Sequence, residues 1–529
     1  MDTVSGGCAV DPLHQMASVG RQALTNLTRF ADRPAICDGS TSLSYRQLGD
    51  MTARLISVLK QAGLRRGNAL AILAGNRAEV LAAMLAANLM GMRYTPLHPL
   101  AALEDQRFII ADAEIDSLIV DPQKFGARAL EIRAGVPHLR HLLTLGPLSG
   151  GVDLLEGMRH ARPAPLIDES DPQAPAFVIY TGGTTGKSKG ALHTHRSIQT
   201  ATLLMACEWE WPSEIRFLAA TPISHAAGGM LRPVMYRGGY TRLLHGFDPE
   251  VFCRTIQEER ITCTLLVPTI LYALIDSPAR HRYDLSSLQM IVYGAAPMSP
   301  DRLRQAIEVF GPIFVQLYGQ TEAPQCIATL RKADHDLTRP ERLVSCGLPS
   351  AGLDVRLFDS NMKEVPVGSP GEICVRGPLV MEGYWKRPEA TAEVFHGGWL
   401  HTGDVAVRDN EGYLTIVDRT KDLIITGGVN VYPREVEDAL MSHPAVASAA
   451  VIGIPDPKWG EAVMAFVVLQ KGAAVELDSL RRHVKERKGG PWTPKTIEFV
   501  DQLPLTGLGK IDRKALRARF WPSDARQVS

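Results

Sequence analysis

The chain has 529 residues, more than one hydrophobic core holds; at roughly 150 residues per domain, at least two packed units are expected. Lys plus Arg and Asp plus Glu are each 57, so the formal net charge is zero, which argues against a nucleic-acid polyanion as the main partner. With 45% hydrophobic and 22% charged residues the composition is that of a globular protein and excludes disorder as the dominant state.

Residues 44 to 63 place Leu48, Met51, Leu55 and Leu59 at helical spacing, with Ser44 and Gln47 set for a capping box. A strand ALAIL from Ala69, a helix from Arg77 to Gly91 and a strand around Tyr94 follow. The apolar run LAAMLAANLMGM from Leu81 is too short to cross a bilayer and reads as a buried helix. Strands recur at Ala176, Phe217, Cys263, Met290 and Phe314, and this alternation with helices implies a large α/β unit with parallel sheet layers. From about 350 to 420 short alternating segments, LDVRLFD, EICVRG and GYLTIVDR, imply a β-rich subdomain. Residues 421–529 then read as a small α+β domain, with helix PREVEDALM, strands VASAAVIGI and AVMAFVVL, and a helix from Leu477 to Lys488. The basic run RRHVKERK from Arg481 reads as a solvated helix face.

Eight cysteines form no C-x-x-C pair, so neither a zinc cage nor a disulfide framework is expected. The first residues, MDTVSGGCAVDPLHQ, lack the basic start and apolar run of a signal peptide, and a cytoplasmic location with reduced thiols is expected.

The loop after Ala176–Tyr180 is TGGTTGKSKG, residues 181–190. Its glycines let backbone approach a phosphate, its threonines donate hydrogen bonds and its lysines neutralise charge. A Walker A loop and a dinucleotide fingerprint both need glycine at 181, where the chain has Thr. GKSKG matches the nucleophile elbow of serine hydrolases, with Ser188 as nucleophile and His193 and His195 following. That elbow sits on a strand-to-helix turn, and Ser188 lies well beyond the strand, between two lysines.

YTGGTTGKSKG resembles the phosphate-binding signature of the adenylate-forming (ANL) superfamily, which holds acyl-CoA synthetases, firefly luciferase and peptide-synthetase adenylation domains. TPISHAAGG from Thr221, YGAAP from Tyr293, YGQTE from Tyr318, GWLHTGD from Gly398, VDRTKDLIITGG from Val417 and GKIDRK from Gly509 follow in the family's order, and the later ones are similar to the acyl-CoA synthetase branch. The resemblance implies an acid–CoA ligase: a carboxylate attacks the α-phosphate of Mg-ATP to give an acyl-adenylate and pyrophosphate, and the CoA thiol then displaces AMP. ATP, Mg2+ and coenzyme A are the implied cofactors.

By the same resemblance Thr181, Gly183, Thr184, Thr185, Gly186 and Lys187 would cradle the phosphates, Glu322 with Thr184 would hold Mg2+, and Thr321 would contact the α-phosphate. Tyr318 and Gly319 would meet the adenine beside Gly294, Ala295, Ala296 and Pro297, while Asp404 would take the ribose hydroxyls with Arg419 nearby. Lys510 would bridge the acid and the α-phosphate, Lys421 would be the hinge between 1–420 and 421–529, and Gly428 and Trp459 would meet CoA. His225 would gate an acyl pocket lined by Ala226, Ala227, Gly228, Gly229 and Ala295. All are small and leave volume, so a bulky, mainly apolar acid is expected.

Two positions depart from the family. Gly183 stands where it has serine, and Ser188 where it has proline. A hydrogen bond to a charged group is worth about 1.5–3 kcal/mol, so weakened adenylation is expected. With it comes an alternative, a chain that mainly transfers a preformed acyl-adenylate supplied by a partner adenylating enzyme.

Overall fold

The side chain of Ser44 accepts the Gln47 amide while Gln47 Oε1 accepts the Ser44 amide, and the helix Tyr45–Gln61 starts on this capping box. The apolar run forms the helix Ala78–Leu89, buried on every side. The computed structural model describes residues 16–181, 188–296, 298–419, 422–426, 429–505 and 511–521, and the backbone alone of 418, 419 and 430. Among the described residues no helix is long and apolar enough to cross a membrane.

The single alternation of strands and helices in the sequence divides into two sheets. Ala69–Leu73, Arg93–Pro96 and Pro175–Tyr180 lie in one of eight strands; Phe314–Gln320, Met290–Gly294, Cys263–Leu266 and Arg216–Ala219 run parallel in another of nine, counted over the described residues. Period-2 alternation explains how each sheet is covered on both faces. Leu70 and Ile72 point into a core shared with the helices Val19–Arg29, Ala78–Leu89, His195–Glu208 and Ala226–Tyr236, while Ala69, Ala71 and Leu73 face the outer side. In the second sheet Met290 and Val292 enter that same shared core, whereas Ile291 and Tyr293 face outward. The two sheets thus sandwich a common helical layer, and helices cover their outer faces.

The β-rich segment is an antiparallel sheet of Asp354–Phe358, Pro370–Arg376, Leu400–Arg408 and Leu414–Arg419. Leu400–Arg408 carries the HTGD motif and was not expected as a strand, because its first half places polar residues on both faces. Gly383–Tyr384 leaves this region and adds to the eight-stranded sheet beside Gly190–Thr194. In the smaller C-terminal domain Val446–Asp456 and Gly460–Leu469 form a long hairpin, and Val451 and Ile452 fall in separate clusters on its two faces. The expected hinge residue Lys421 lies outside the described residues.

The Gly-rich loop leads from Pro175–Tyr180 into Gly190–Thr194, an antiparallel partner, and the next helix starts only at His195. The loop joins two antiparallel strands and not a strand to a helix, so the Walker, dinucleotide and hydrolase-elbow patterns, which each lead from a strand into a helix, fail on architecture as well as spacing.

The carboxyl ends of the two sheets are tied together by Asn76, buried just after Ala69–Leu73. Its Nδ2 donates to Thr221 O at 3.0 Å and Leu244 O at 2.9 Å, and its Oδ1 accepts from Ile223 N at 2.9 Å. Those partners follow strands of the other sheet, and one of them precedes His225 by two residues. Stranding buried polar groups costs about 1–3 kcal/mol each. Asn76→Ala is therefore expected to lose about 2–4 kcal/mol of stability in urea denaturation; an unchanged midpoint would contradict the tie.

Candidate active site

At the base of the Gly-rich loop Thr181 N donates to Lys189 O at 2.9 Å, Thr181 Oγ1 accepts from Lys189 N at 3.2 Å, and the Ser188 hydroxyl donates to Thr181 O. Thr181 therefore closes the loop. Ser188 is held by a backbone carbonyl, and His193, buried in the next strand, donates from Nε2 to Thr321 O at 2.8 Å. Nothing in this arrangement pairs Ser188 with a base, and the hydrolase reading has no support.

Thr321 and Glu322 sit in the turn between Phe314–Gln320 and Ala323–Leu330. The Glu322 side chain is buried, and Tyr384 Oη donates to its Oε1 at 2.6 Å. Tyr384 belongs to the short strand sent over from the β-rich segment, and Lys189 Nζ lies 5.0 Å from its ring centre. Carboxylate oxygens are the ligand type Mg2+ takes.

Tyr318 precedes this turn, next to Gly319, and its hydroxyl donates to Asp404 Oδ2 at 2.7 Å. Burial, followed by the Asp404 charge, raises the phenol pKa well above its ordinary value, so Tyr318 remains a donor. The main chain at Gly294 has φ +154°, and a Cβ there would meet Leu317 O at 2.4 Å. The neighbouring Ala295 is exposed with φ +63°, a left-handed conformation that costs free energy and marks functional sites. Ala296 follows, half-buried. Arg419 is the register partner of Asp404 on the adjacent strand.

His225 caps the helix Ala226–Tyr236, with Gly228 N donating to its carbonyl at 2.8 Å. Its ring meets His98 edge-on at 4.3 Å, and burial, then His98, pulls its pKa down to about 3. The expected lining of small residues holds only in part. Gly229 faces Gln325, whose Oε1 would lie 2.3 Å from an added Cβ and whose Nε2 donates to Ala226 O at 3.3 Å. Gly228 instead abuts Ile223 O, 1.8 Å from where a Cβ would stand, and Ala227 is fully packed in the shared core. Those two positions are small because backbone and core press on them, and they leave no volume for an acyl group.

Gly183, Thr184, Thr185, Gly186, Lys187, Pro297, Lys421, Gly428 and Lys510 lie outside the described residues. Trp459 is exposed on the C-terminal hairpin, its ring flanked by Lys458 Nζ at 4.8 Å and Lys495 Nζ at 5.2 Å. Four groups of this region escaped the sequence reading: Asn76, His98, Gln325 and Tyr384. Each carries a common residue type in an unremarkable local pattern, and only the fold brings it to the cleft.

A family model described as AMP-binding enzyme matches residues 24–385, and one described as AMP-binding enzyme C-terminal domain matches residues 435–510. The chain belongs to the AMP-binding enzyme family. A medium/long-chain-fatty-acid–CoA ligase, FadD8 of Mycobacterium tuberculosis, is 45% identical over 98% of this chain and 93% of its own length. A feruloyl-CoA synthase of an Amycolatopsis species is 37% identical, over 92% of this chain and 96% of its own. Among solved structures, the amide bond synthetase McbA of Marinactinospora thermotolerans superposes with a TM-score of 0.88 at 35% identity, covering 95% of this chain and 100% of that one. This member of the AMP-binding family is an AMP-forming acid–CoA ligase that uses ATP and CoA as substrates.

Burial also depresses the pKa values of His193, His195 and His335, each to about 4. The unfolded chain takes up these protons near pH 6.5, the folded one only near pH 4 or below, so stability falls as pH drops through that window. Each fully buried ring contributes up to about 1.4 kcal/mol per pH unit there. The urea midpoint is expected to fall steeply between pH 6.5 and 4, and a midpoint constant from pH 7 to 5 would contradict the assignment.

Proposed function

We propose that the chain activates a bulky, mainly apolar carboxylic acid with Mg-ATP and passes the acyl group to CoA. The observation that carries this reading is that Glu322 and His225 follow strands of the nine-stranded sheet, with Tyr384 of the eight-stranded sheet bonded to Glu322 and Asp404 of the β-rich sheet bonded to Tyr318. Glu322 would hold Mg2+ together with Thr184, Tyr384 fixing its orientation. The metal would neutralise charge between the phosphates as pyrophosphate departs. Asp404, oriented by Tyr318, would accept the ribose hydroxyls, and the Gly294–Ala295 turn would border the adenine. Thr184, Thr185, Gly186 and Lys187 would cradle the phosphates, with Thr181 closing the loop beneath them.

The acid would lie against Ala226 beside Gln325, with the neutral His225 at the mouth. A neutral imidazole favours an apolar guest, since it adds no charge to be desolvated. The named substrates of similar chains support bulk: medium and long-chain fatty acids, ferulate, and the indoleacetate of a ligase 34% identical to this chain. Lys510 would bridge the acid and the α-phosphate during adenylation. Rotation at Lys421 would then replace it with Gly428, and Trp459 with its two lysines would receive CoA. That aromatic and cationic pair favours CoA over the amine acceptor implied by the amide bond synthetase likeness. The Ser188 hydroxyl bond to Thr181 restores the closure that a proline would give, so the reading in which the chain only transfers a preformed acyl-adenylate gains no support here.

Lys510→Ala is expected to slow pyrophosphate release on the order of 100-fold or more, while conversion of a supplied acyl-adenylate to acyl-CoA is largely retained; equal loss in both half-reactions would contradict the assigned role. Across a panel of acids, kcat/KM should be highest for medium-chain, long-chain or aryl-substituted acids. A higher value for acetate than for every large acid would overturn the substrate class.

A further inference from the structure

We propose that Glu372, Cys374 and His401 form a zinc-binding site that clips two strands of the β-rich sheet together. Pro370–Arg376 and Leu400–Arg408 are antiparallel neighbours, and Cys374 is the register partner of His401. Residues two apart on a strand share a face, which puts Glu372 beside them, and the ladder is irregular between Glu372 and Cys374. His401 Nδ1 lies 2.7 Å from Glu372 Oε2 and 3.5 Å from Cys374 Sγ, and one donor atom from each residue lies within 4.8 Å of the others.

Both contacts fall on the same imidazole nitrogen. A thiol relay would use opposite nitrogens of the ring, whereas ligands converge on a single point. With Zn–S near 2.3 Å and Zn–N near 2.0 Å, a tetrahedral ion separates sulfur and nitrogen by about 3.5 Å, as found between Cys374 and His401. The carboxylate needs to withdraw by less than 1 Å to reach about 3.4 Å from the nitrogen.

The outer contacts are those of a metal centre. His401 Nε2 donates to His396 O at 3.1 Å, which turns Nδ1 toward the site, and Glu372 Oε1 accepts from Gly403 N at 2.9 Å, which turns Oε2 the same way. Cys374 is buried, while the His401 and Glu372 side chains are 17% and 25% exposed, so an ion reaches the thiol from their side. A sulfur, nitrogen and carboxylate set selects zinc over magnesium or calcium, and three protein ligands leave a fourth position for water. On binding, the thiol proton passes to solvent, since the thiolate is the ligand.

Titration of the full chain with Zn2+ against a chromophoric chelator is expected to give one tight site, a raised Tm, and a thiolate-to-metal charge-transfer band when Co2+ replaces Zn2+. Cys374→Ser should abolish the band and weaken Zn2+ by at least the 10–100-fold typical of outer-contact loss, and His401→Asn should weaken it likewise. Cys207→Ser, at an exposed thiol, should change neither. Absence of the band in the unmodified chain, or equal Zn2+ affinity in the unmodified chain and both site variants, would overturn the proposal.

Discussion

Two separate, mostly parallel sheets must deliver their strand ends to one cleft, and the buried side chain of Asn76 joins them there, with His193 and Tyr384 adding bonds to Thr321 and Glu322. The three hydrogen bonds of Asn76 reach two carbonyls and one amide on loops of the other sheet. Beneath it the helical layer shared by both sheets is close-packed, which prevents them from sliding. His225 and the turn at Glu322 both follow strands of the nine-stranded sheet, and the Asn76 bond to Ile223 fixes the His225 loop against the eight-stranded one.

The second constraint is electrostatic. Buried carboxylates are costly unless hydrogen-bonded, and both Glu322 and Asp404 receive a tyrosine hydroxyl. A neutral donor orients a carboxylate without adding a charge of its own. The histidines nearby are held neutral by burial: His193 beneath Thr321, and His225 beside His98. The region therefore combines two carboxylates oriented by tyrosines with histidines kept uncharged by burial.

The sequence was informative where chemistry demands particular residues in a row. The capping box at Ser44 and the central strands Ala69–Leu73, Pro175–Tyr180, Cys263–Leu266, Met290–Gly294 and Phe314–Gln320 were legible from local pattern, and the motif order from the family resemblance, while strands such as Pro34–Cys37 and Ser117–Val120 were missed. The division into two sheets was not legible, since parallel strands buried on both faces look alike whichever sheet they join. The small residues after His225 were misread for a related reason: Gly228 yields to a neighbouring carbonyl and Gly229 to a side chain, and the sequence does not distinguish the two. Tyr384 and Asn76 reach the cleft across long stretches of chain, so no local pattern announces them. The Cys374–His401 pairing is likewise a product of strand register.

The central claim is that ligation at this cleft passes through an acyl-adenylate. The most direct measurement is oxygen tracing, with the acid labelled with 18O in its carboxylate and turned over with ATP and CoA. The account predicts one labelled oxygen in AMP and none in pyrophosphate, because the carboxylate attacks the α-phosphate and leaves an oxygen there when the thiol displaces AMP. Acyl-CoA formed with unlabelled AMP, or with the label in inorganic phosphate, would contradict it.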